Sequence, residues 1–480
     1  MALISFIPHI PHMPRIIIDH FGPIEHLDLE IKDLTILIGP NASGKSLVGK
    51  LVWFFRSIPK LIRDDAEVFG KDLDSERERG HFPDSPGYLK HLCEQVLPLR
   101  FLEYFPAQVY GQQDSKIVFG YAINNDQPPF SITLEKDAQQ RWVFTCSEAL
   151  VNGLQAFQAR LSESLKSFTD SKDSLNEPYS PYQQNLWQWV DQGFGMMDWQ
   201  RNPHAFHYIT ASRNNLYELA LQRFESPRSG KQDREDPFTR DFVNFFFRSV
   251  LSQSEIESYL SHLQIRAEES SSLTDKLGKL EKYLVLMSDL IGGRYQLEGP
   301  INETIAIHTD QGEKSIPIKY ATSGQQNSSR LLASLLPLMK MSFSSLCVIE
   351  EPEMNLYPTA QQQVVSAIAL FLSIRNGNQL IINTHSPYVL SAFDNLITAA
   401  QVAKERPNQT DRIKEVVPQE MWIEFERVSA IYLDEGSGSA ILNHERGGLG
   451  GNKIDDASDE VADTFDQLLE IRYAPQEEEV

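Results

Sequence analysis

Residues Gly39 to Ser46 read G-P-N-A-S-G-K-S. The stretch matches G-x-x-x-x-G-K-[ST], the phosphate-binding loop motif, or P-loop. The residues before it, Leu34-Thr-Ile-Leu-Ile38, form a short apolar run typical of a buried strand. The apolar residues after it recur at helical spacing: Leu47, Val48, Leu51, Val52 and Phe55. Strand, turn and helix in this order aim backbone N–H groups and the positive helix end at an anion, which predicts a nucleoside triphosphate site.

The motif assigns separate tasks to its residues. Gly39 and Gly44 let the backbone curl around the β-phosphate without a Cβ in the way. Lys45 is expected to reach the β- and γ-phosphates, and the Ser46 hydroxyl to bind Mg²⁺. The predicted cofactors are therefore ATP and Mg²⁺. The residues predicted to bind the nucleotide in this loop are Gly39, Pro40, Asn41, Ala42, Ser43, Gly44, Lys45 and Ser46.

Two later strands end in polar side chains suited to phosphate chemistry. Leu346-Cys-Val-Ile-Glu350-Glu351 is an apolar run that ends in two carboxylates. Glu350 is predicted to hold Mg²⁺, directly or through water, and Glu351 to orient or deprotonate the attacking water. Two adjacent acids at the end of a buried strand are costly without a metal and donors nearby. The run beginning at Gln379 ends at His385, whose imidazole is a candidate contact for the γ-phosphate side.

A second anion site is predicted at the segment Ser323-Gly-Gln325. It precedes an apolar helix that leads to the Glu350 strand, and free N–H groups lie at a helix start. Taken alone, such a segment is more often an ordinary helix cap. One triphosphate does not need two such sites from one chain. We therefore expect Ser323, Gly324 and Gln325 to serve a nucleotide held by a second protomer.

The order P-loop, Ser-Gly-Gln segment, acidic pair and histidine resembles the ABC-type ATPase heads of the SMC and RecF kind, and most of all the group that includes the OLD-family ATPases. Local patterns carry the resemblance over roughly residues 15–60 and 206–393: Phe21-Gly-Pro-Ile24, Gly39-Pro-Asn41, Tyr208-Ile-Thr-Ala-Ser-Arg213, Glu350-Glu-Pro-Glu353-Met-Asn-Leu356-Tyr-Pro358 and Asn383-Thr-His-Ser-Pro387. The resemblance implies head-to-head dimers with ATP sandwiched between Lys45 of one head and Ser323 of the other.

The sequence departs from that family in several places. Ala42 replaces the commoner glycine, Glu350 replaces the usual aspartate, and no S-A-L-D sequence follows. The glutamine that contacts nucleotide in such heads has no clear match. The candidates are Gln108, Gln112 and Gln113, or Arg213 in the equivalent place after strand 206–209.

The resemblance implies an α/β fold, a P-loop ABC-type ATPase head with a mixed sheet and an antiparallel β subdomain, to which the sequence adds a helical insertion. The length of the chain supports two or three domains. The chain has 480 residues, 41% of them hydrophobic, and a net charge of −22. Such a charge opposes nucleic-acid binding unless basic residues cluster locally. The longest apolar helix candidate, 364–374, is too short to span a bilayer, and no secretion signal is recognised. Three widely spaced cysteines, Cys93, Cys146 and Cys347, suit a reducing cytoplasm, so a cytoplasmic protein without membrane contact is predicted.

Four regions are expected along the chain. An N-terminal ATPase lobe spans 1–146 and includes antiparallel strands at 116–123, 130–134 and 142–145. A mainly helical insertion spans 147–293, with strand 206–209 returning to the head. Its predicted helices are 147–165, 182–190, 241–251, 254–266 and 273–290. A C-terminal ATPase lobe spans 294–400, with strands at 295–298, 301–308 and 316–319. An extension with an acidic tail spans 401–480.

No nuclease is predicted within the chain itself. A Toprim domain needs a glutamate and a D-x-D cluster for two metals, and Asp434-Glu435 does not supply the rest of such a site. The resemblance therefore extends to ATPase subunits of the Septu (PtuA-like) and PARIS (AriA-like) anti-phage systems, which imply a homo-oligomer, a separate nuclease or toxin effector, and a DNA or phage-protein trigger. Two alternatives remain open: a RecF-like or SMC-like repair ATPase acting directly on DNA, and a nucleotide-stabilised scaffold with little turnover.

Overall fold

The computed structural model describes residues 14–69, 88–110, 114–122, 130–170, 205–216, 219, 236–268, 270–298, 301–310, 312–450 and 467. Its main element is a mixed sheet of eleven strands in the order β6-β5-β4-β1-β2-β14-β13-β3-β12-β11-β7. The strands are β1 Arg15–Phe21, β2 Ile24–Glu30, β3 Leu34–Ile38, β4 Lys116–Ala122, β5 Phe130–Lys136, β6 Trp142–Cys146, β7 Ala205–Ile209, β11 Ser345–Glu350, β12 Gln379–Thr384, β13 Val428–Asp434 and β14 Ser437–Ala440.

The sheet has a parallel half and an antiparallel half. Strands β7, β11, β12, β3 and β13 are parallel neighbours, whereas β1, β2, β4, β5 and β6 form an antiparallel run beside them. The predicted α/β class with a mixed sheet and an antiparallel patch is therefore confirmed. A separate antiparallel sheet has the order β10-β9-β8. Its strands are β8 Arg294–Glu298, β9 Asn302–Thr309 and β10 Gly312–Pro317, and a small pair follows at β15 Leu442–Asn443 and β16 Gly448–Leu449.

Helices cover both faces of the sheet. They are α1 Lys45–Phe69, α2 Tyr88–His91, α3 Leu97–Tyr104, α4 Ala107–Tyr110, α5 Glu148–Asp170, α6 Pro237–Ser249, α7 Gln253–Ala267, α8 Ser271–Ile291, α9 Ser323–Lys340, α10 Pro358–Ser373, α11 Pro387–Glu405 and α12 Thr410–Val416. A π-helical turn, Leu92–Val96, joins α2 to α3. No helix in this described part of the chain is both long and apolar enough to cross a bilayer.

Alternating side chains along the parallel strands fill two cores. On β11, Leu346 and Val348 face the core that holds α1, whereas Cys347 and Ile349 face the core that holds α8, α9, α10 and α11. Strand β3 alternates in the same way. Because both faces are covered, these strands read as continuous apolar runs. This is why the sequence reveals them clearly.

Most of the predicted elements are present with shifted ends. The helices expected at 147–165, 241–251, 254–266 and 273–290 correspond to α5, α6, α7 and α8. The strand expected at 316–319 is wrong in part, because β10 ends at Pro317 and a short 3-10 turn, Ile318–Tyr320, follows. The expected helix at 182–190 and the acidic tail after residue 455 lie outside the described residues, apart from residue 467.

Two cysteines far apart in sequence lie close together in space. The Sγ atoms of Cys93 and Cys146 are 3.6 Å apart, and all three cysteines are free thiols. His207, the second histidine of the H-x-x-H pattern at 204–207, is half-buried on β7 with its ring Nε2 enclosed, and its ring centroid is 4.1 Å from that of Phe245. Burial lowers the pKa of His207 to about 3, so this ring is neutral. This environment indicates a structural role for His207.

Candidate nucleotide-binding site

Strand register brings the predicted site to one edge of the sheet. Ile38 at the end of β3 lies opposite Thr384 of β12, and Asn383 of β12 lies opposite Glu350 of β11. The three strands are parallel, so their carboxyl ends and the loops that follow share that edge. The P-loop, the Glu350–Glu351 pair and His385 all follow directly. In open α/β sheets ligands bind at this edge.

The P-loop has the backbone of a tight phosphate cradle. Gly39 has φ +152°, Gly44 has φ +99° and Ala42 has φ +63°. A Cβ at position 39 would lie 2.0 Å from the carbonyl oxygen of Leu433, so no other residue fits there without moving β13. Ala42, which departs from the family pattern, adopts the left-handed conformation at a small cost for a residue without branching.

Lys45 folds back over the loop that precedes it. Its Nζ donates to the carbonyl oxygens of Gly39 at 2.9 Å and Pro40 at 2.5 Å, and to Ser43 Oγ at 3.3 Å. The side chain is buried, with 4% of the residue exposed. Burial lowers the pKa of Lys45 to about 8, against an opposing effect of the Glu351 and Glu353 carboxylates. A buried cation held only by neutral oxygens has the chemistry of a site for an anion.

The residues present fit ATP and Mg²⁺. The glycine cradle and the buried Lys45 suit a polyphosphate, and α1 begins directly at Lys45 with its free N–H groups. Ser46 is exposed at that helix start. Hydroxyl and carboxylate oxygens are ligands that Mg²⁺ accepts. When bound, the metal would neutralise charge on the phosphates.

Glu350 is held firmly at the end of β11. Its Oε1 accepts a hydrogen bond from the Tyr208 hydroxyl at 2.5 Å, and its Oε2 accepts one from the backbone N–H of Ala211 at 2.9 Å. Burial raises the pKa of Tyr208 well above its usual value, so the hydroxyl stays protonated and donates. Each carboxylate oxygen retains a lone pair. Contact with Mg²⁺ through water fits this arrangement without breaking either bond.

Glu351 and His385 lie beside each other at the open edge. His385 Nε2 is 3.7 Å from Glu351 Oε1, and both side chains are about one-third exposed. Glu351 has φ +43°, an uncommon conformation for a residue with a Cβ. Its backbone N–H donates to the carbonyl oxygen of Asn383 at 2.8 Å. The turn therefore lifts the Glu351 side chain toward His385 and Lys45.

Glu353 belongs to this site although the sequence analysis assigned it no role. Its Oε1 accepts hydrogen bonds from Thr384 Oγ1 at 2.7 Å and from the backbone N–H of His385 at 2.8 Å. Its Oε2 is buried and has no hydrogen-bond partner among the described residues. The sequence feature that could have revealed this role is the third carboxylate of Glu350-Glu-Pro-Glu353, so close to the acidic pair. Glu353 fixes the backbone that carries His385.

Arg213 lies beneath the acidic pair rather than at the phosphate loop. The residue is fully buried, and burial lowers the pKa of Arg213 to about 10, an effect that the Glu353, Glu350 and Glu351 carboxylates oppose. Its guanidinium donates to backbone carbonyls of the acidic pair. Each of these side-chain hydrogen bonds goes to backbone, and the expected contact of Arg213 with nucleotide stays a prediction. Gln112 and Gln113 lie outside the described residues, and only the backbone of Gln108 is described.

The Ser323 segment forms the N-terminus of α9. Thr322 and Gln325 make a reciprocal capping box, and Gln325 Nε2 also donates to the carbonyl oxygen of Ile291. Ser323 is exposed, whereas a Cβ at Gly324 would lie 2.7 Å from the carbonyl oxygen of Asn355. Gly324 therefore allows α9 to pack against the loop that follows the acidic pair. Gln325 is engaged within its own protomer.

A cavity of about 460 Å³ opens on the other side of the P-loop. Its lining combines P-loop residues 40–43 with Pro23, Glu25, Asp434, Glu435 and Gly436. The Asp434–Glu435 pair lies at the end of β13, which is next to β3 in the sheet. Both acids therefore flank the nucleotide loop, a placement that no local motif indicated.

The affinity for ATP is expected to fall above pH 8. The charged form of Lys45 binds phosphate, and in the free protein its pKa is about 8. Each pH unit above that value should weaken binding about tenfold, until the higher pKa of the complex is reached. Titration of fluorescent ATP at pH 7 to 10 measures this. Lys45→Arg, which stays charged, should give a flat profile, and a flat profile in the wild type would contradict the assignment.

The same shift affects stability in the opposite direction. The folded-state pKa of Lys45 lies below the value of 10.5 for a free lysine. Between pH 8 and 10.5 the unfolded chain therefore binds more protons, and this group makes the free energy of unfolding rise with pH over that window. Deprotonation of Lys45 between pH 8 and 10.5 therefore does not destabilise the fold, and a loss of ATP affinity in that window is not caused by Lys45-linked unfolding.

Comparison with known proteins agrees with this chemistry. The model of the AAA_21 family, described as "AAA domain, putative AbiEii toxin, Type IV TA system", matches residues 34–391. No curated protein matches the sequence.

Several solved structures are similar to this chain at low identity. An SMC head bound to the C-terminal winged-helix domain of ScpA is 10% identical, with a TM-score of 0.40 over 91% of this chain and 99% of that one. The SMC head domain from Thermotoga maritima is 12% identical, with a TM-score of 0.32 over 90% and 98%. The recombination mediator RecF is 10% identical, with a TM-score of 0.33 over 90% and 100%. Likeness this distant carries nothing about function. The family model, in contrast, spans most of the chain and includes the P-loop, the acidic pair and His385, so this chain belongs to the AAA_21 family of P-loop AAA domains.

Proposed function

We propose that the chain is an ABC-type ATPase that closes into homodimers around ATP and thereby controls a separate effector subunit in anti-phage defence. One observation carries the ATPase part of the proposal. Three adjacent parallel strands deliver Lys45, Glu351 and His385 to a single edge of the sheet. A binding cation, a base and a phosphate-side imidazole are the groups that ATP hydrolysis needs.

Each residue has a task in the proposed reaction. Lys45 turns from its own loop carbonyls to the β- and γ-phosphates, while Ser46 and Glu350 hold Mg²⁺. Glu351 orients the attacking water, and a carboxylate oxygen accepts its proton as the bond to the γ-phosphorus forms. His385, beside Glu351, contacts the γ-phosphate. The leaving group is ADP, and the phosphate carries the transferred oxygen.

An exposed aromatic surface supports the second copy as the partner. Tyr320, Tyr357 and Tyr388 are 73%, 76% and 50% exposed. Tyr320 and Tyr357 precede α9 and α10, and Tyr388 lies in the first turn of α11. The N-termini of these helices are joined: Gly324 packs on Asn355, and the Ser386 hydroxyl donates to Gln361. Exposed tyrosines beside an open helix N-terminus suit burial against another head, since tyrosine is enriched at protein interfaces. Ser323 at the same edge would then meet the partner's nucleotide.

The effector part rests on the sequence. The chain supplies the motifs of a nucleotide switch, but the sequence after His385 has no D-x-D pattern of the kind that a two-metal nuclease needs. We therefore assign any cleavage to a separate nuclease or toxin subunit, triggered by DNA or a phage protein, as in Septu-like or PARIS-like arrangements. The family description names a toxin of a toxin–antitoxin system, which gives a second candidate. Growth arrest by this chain alone, relieved by a neighbouring gene product, would favour that candidate.

Ser323→Arg is expected to abolish ATP-dependent dimers. The long cation would fill the space for the partner's phosphates at the start of α9, where Ser323 is the first helical residue. Mass in solution, measured with ATP and Mg²⁺ and without nucleotide, tests this. The matched control is Ser271→Arg, which places the same change at the exposed first residue of α8. A large oligomer indifferent to nucleotide and to Ser323→Arg would overturn the sandwich in favour of a scaffold.

A further inference from the structure

Arg213 clamps the turn that carries the two acids. Its Nη1 donates to the carbonyl oxygens of Thr210 at 3.1 Å and Glu350 at 2.7 Å, and its Nη2 donates to that of Glu351 at 2.6 Å. The residue is 0% exposed. A planar guanidinium offers donors in fixed directions, so three carbonyls at once define one position of the turn. No lysine can reproduce that geometry.

The turn needs such a clamp. Glu351 has φ +43°, a conformation that persists only where the surroundings enforce it. Two contacts with other segments hold its backbone: its N–H donates to Asn383 on β12, and its carbonyl accepts from the Arg213 guanidinium. Within the turn, the same carbonyl also accepts a hydrogen bond from the backbone N–H of Met354 at 3.1 Å. The direction of the Glu351 side chain therefore depends on both contacts.

The clamp is tied in turn to α9. Arg330, on the third turn of that helix, donates from Nη1 to the carbonyl oxygen of Arg213 at 3.0 Å. The same guanidinium donates to both carboxylate oxygens of Glu303 on β9, at 2.8 to 3.2 Å. Arg330 and Glu303 are 1% and 2% exposed. A buried charged pair with several hydrogen bonds is costly to break, so it holds α9 in one position against Arg213.

We propose that Arg213 is a positioning residue for hydrolysis: it sets the Glu350–Glu351 turn for water activation and, through Arg330, joins that turn to the helix that begins at Ser323. The inference rests on the proposed ATPase function. Binding of the partner's nucleotide at Ser323 would shift α9. Through Arg330 and Arg213, that shift would change the position of the Glu351 side chain. In this role Arg213 acts through the backbone of the turn, whose carbonyls accept its hydrogen bonds.

The test is the kinetics of Arg213→Lys. The variant keeps the charge but not the three-carbonyl fork. We expect kcat to fall about 10- to 100-fold, the scale of a misplacement of about 1 Å, while KM and ATP affinity change less than about threefold. Arg375→Lys is the matched control, because Arg375 also donates to two backbone carbonyls, of Met341 and Ser342, which precede the start of β11, whereas the acidic pair lies at its other end. Full activity of Arg213→Lys would overturn the inference.

A double-mutant cycle separates positioning from general damage. If Arg213 acts through Glu351, adding Arg213→Lys to Glu351→Gln should lower kcat no further. Additive losses would overturn the inference. Arg213→Met, which removes the buried charge, replaces Arg213→Lys in the cycle if circular dichroism shows that the lysine variant is unfolded. Absence of ATP turnover in the wild type would instead overturn the proposed function, so the two failures are distinguishable.

Discussion

Lys45→Ala is expected to abolish ATP binding under ordinary assay conditions. The substitution removes the buried cation of the phosphate loop, whose Nζ otherwise bonds the Gly39 and Pro40 carbonyls. Charged hydrogen bonds to two phosphates are worth about 1.5–3 kcal/mol each. Their loss should raise Kd more than about 100-fold. Fluorescent-nucleotide titration or calorimetry measures the effect directly.

The control for this variant lies one turn further along the same helix. Lys50 belongs to α1 as well, but its Nζ pairs with Asp236 at 3.2 Å and lies 4.8 Å from the ring centroid of Phe238. Lys50→Ala should therefore bind ATP within a few-fold of the wild type. The fold should survive Lys45→Ala, because the change removes a buried charge without breaking a salt bridge. Unchanged ATP affinity in folded Lys45→Ala protein would refute the assignment of the P-loop as the nucleotide-binding site.

Glu351→Gln is expected to bind ATP normally and to hydrolyse it about 10²–10⁴-fold more slowly, the usual contribution of a general base. Glutamine keeps the size of the side chain and one acceptor oxygen, but it cannot take a proton from water. The closed dimer should therefore persist longer, because its opening depends on hydrolysis. Phosphate release measures the first effect, and the decay of ATP-dependent dimer mass after dilution measures the second.

Glu445→Gln serves as the matched control, because Glu445 is exposed in the loop between β15 and β16. Its turnover should equal that of the wild type. Equal turnover by Glu351→Gln would refute the role of Glu351 as base. If turnover is slow but the dimer is as short-lived as that of the wild type, Glu351 still acts as the base. In that case, opening of the dimer does not depend on hydrolysis.

The sequence by itself determined the nucleotide chemistry and the principal strands. Gly39 to Ser46 could be recognised because a P-loop is local: strand, glycines, lysine and helix start all lie within a few residues. Glu350, Glu351 and His385 were accessible for a similar reason, since each directly follows an apolar run that is buried on both faces. Parallel pairing then places their loops at one edge, as β11, β12 and β3 do.

Tertiary structure alone decided the environment of those residues. Arg213 and Glu350 are 137 positions apart, and Tyr208 and Glu350 are 142 apart, yet each pair makes a hydrogen bond. No periodicity encodes such contacts. An arginine in a sequence reads as a surface or ligand-binding charge, because burial of a cation is unfavourable unless many acceptors surround it. Only the folded chain supplies the three carbonyls that make Arg213 a clamp.

Glu353 and the Asp434–Glu435 pair follow the same rule. Glu353 gains its position from contacts with Thr384, the last residue of β12, and with the backbone of His385, which follows that strand. Asp434 lies beside the P-loop because β13 pairs with β3. The P-loop residues determine that a phosphate ligand binds, because their backbone donors come from one short segment of sequence. The surrounding strands determine which carboxylates lie near that ligand, because hydrogen bonds between distant segments exist only after the sheet has formed.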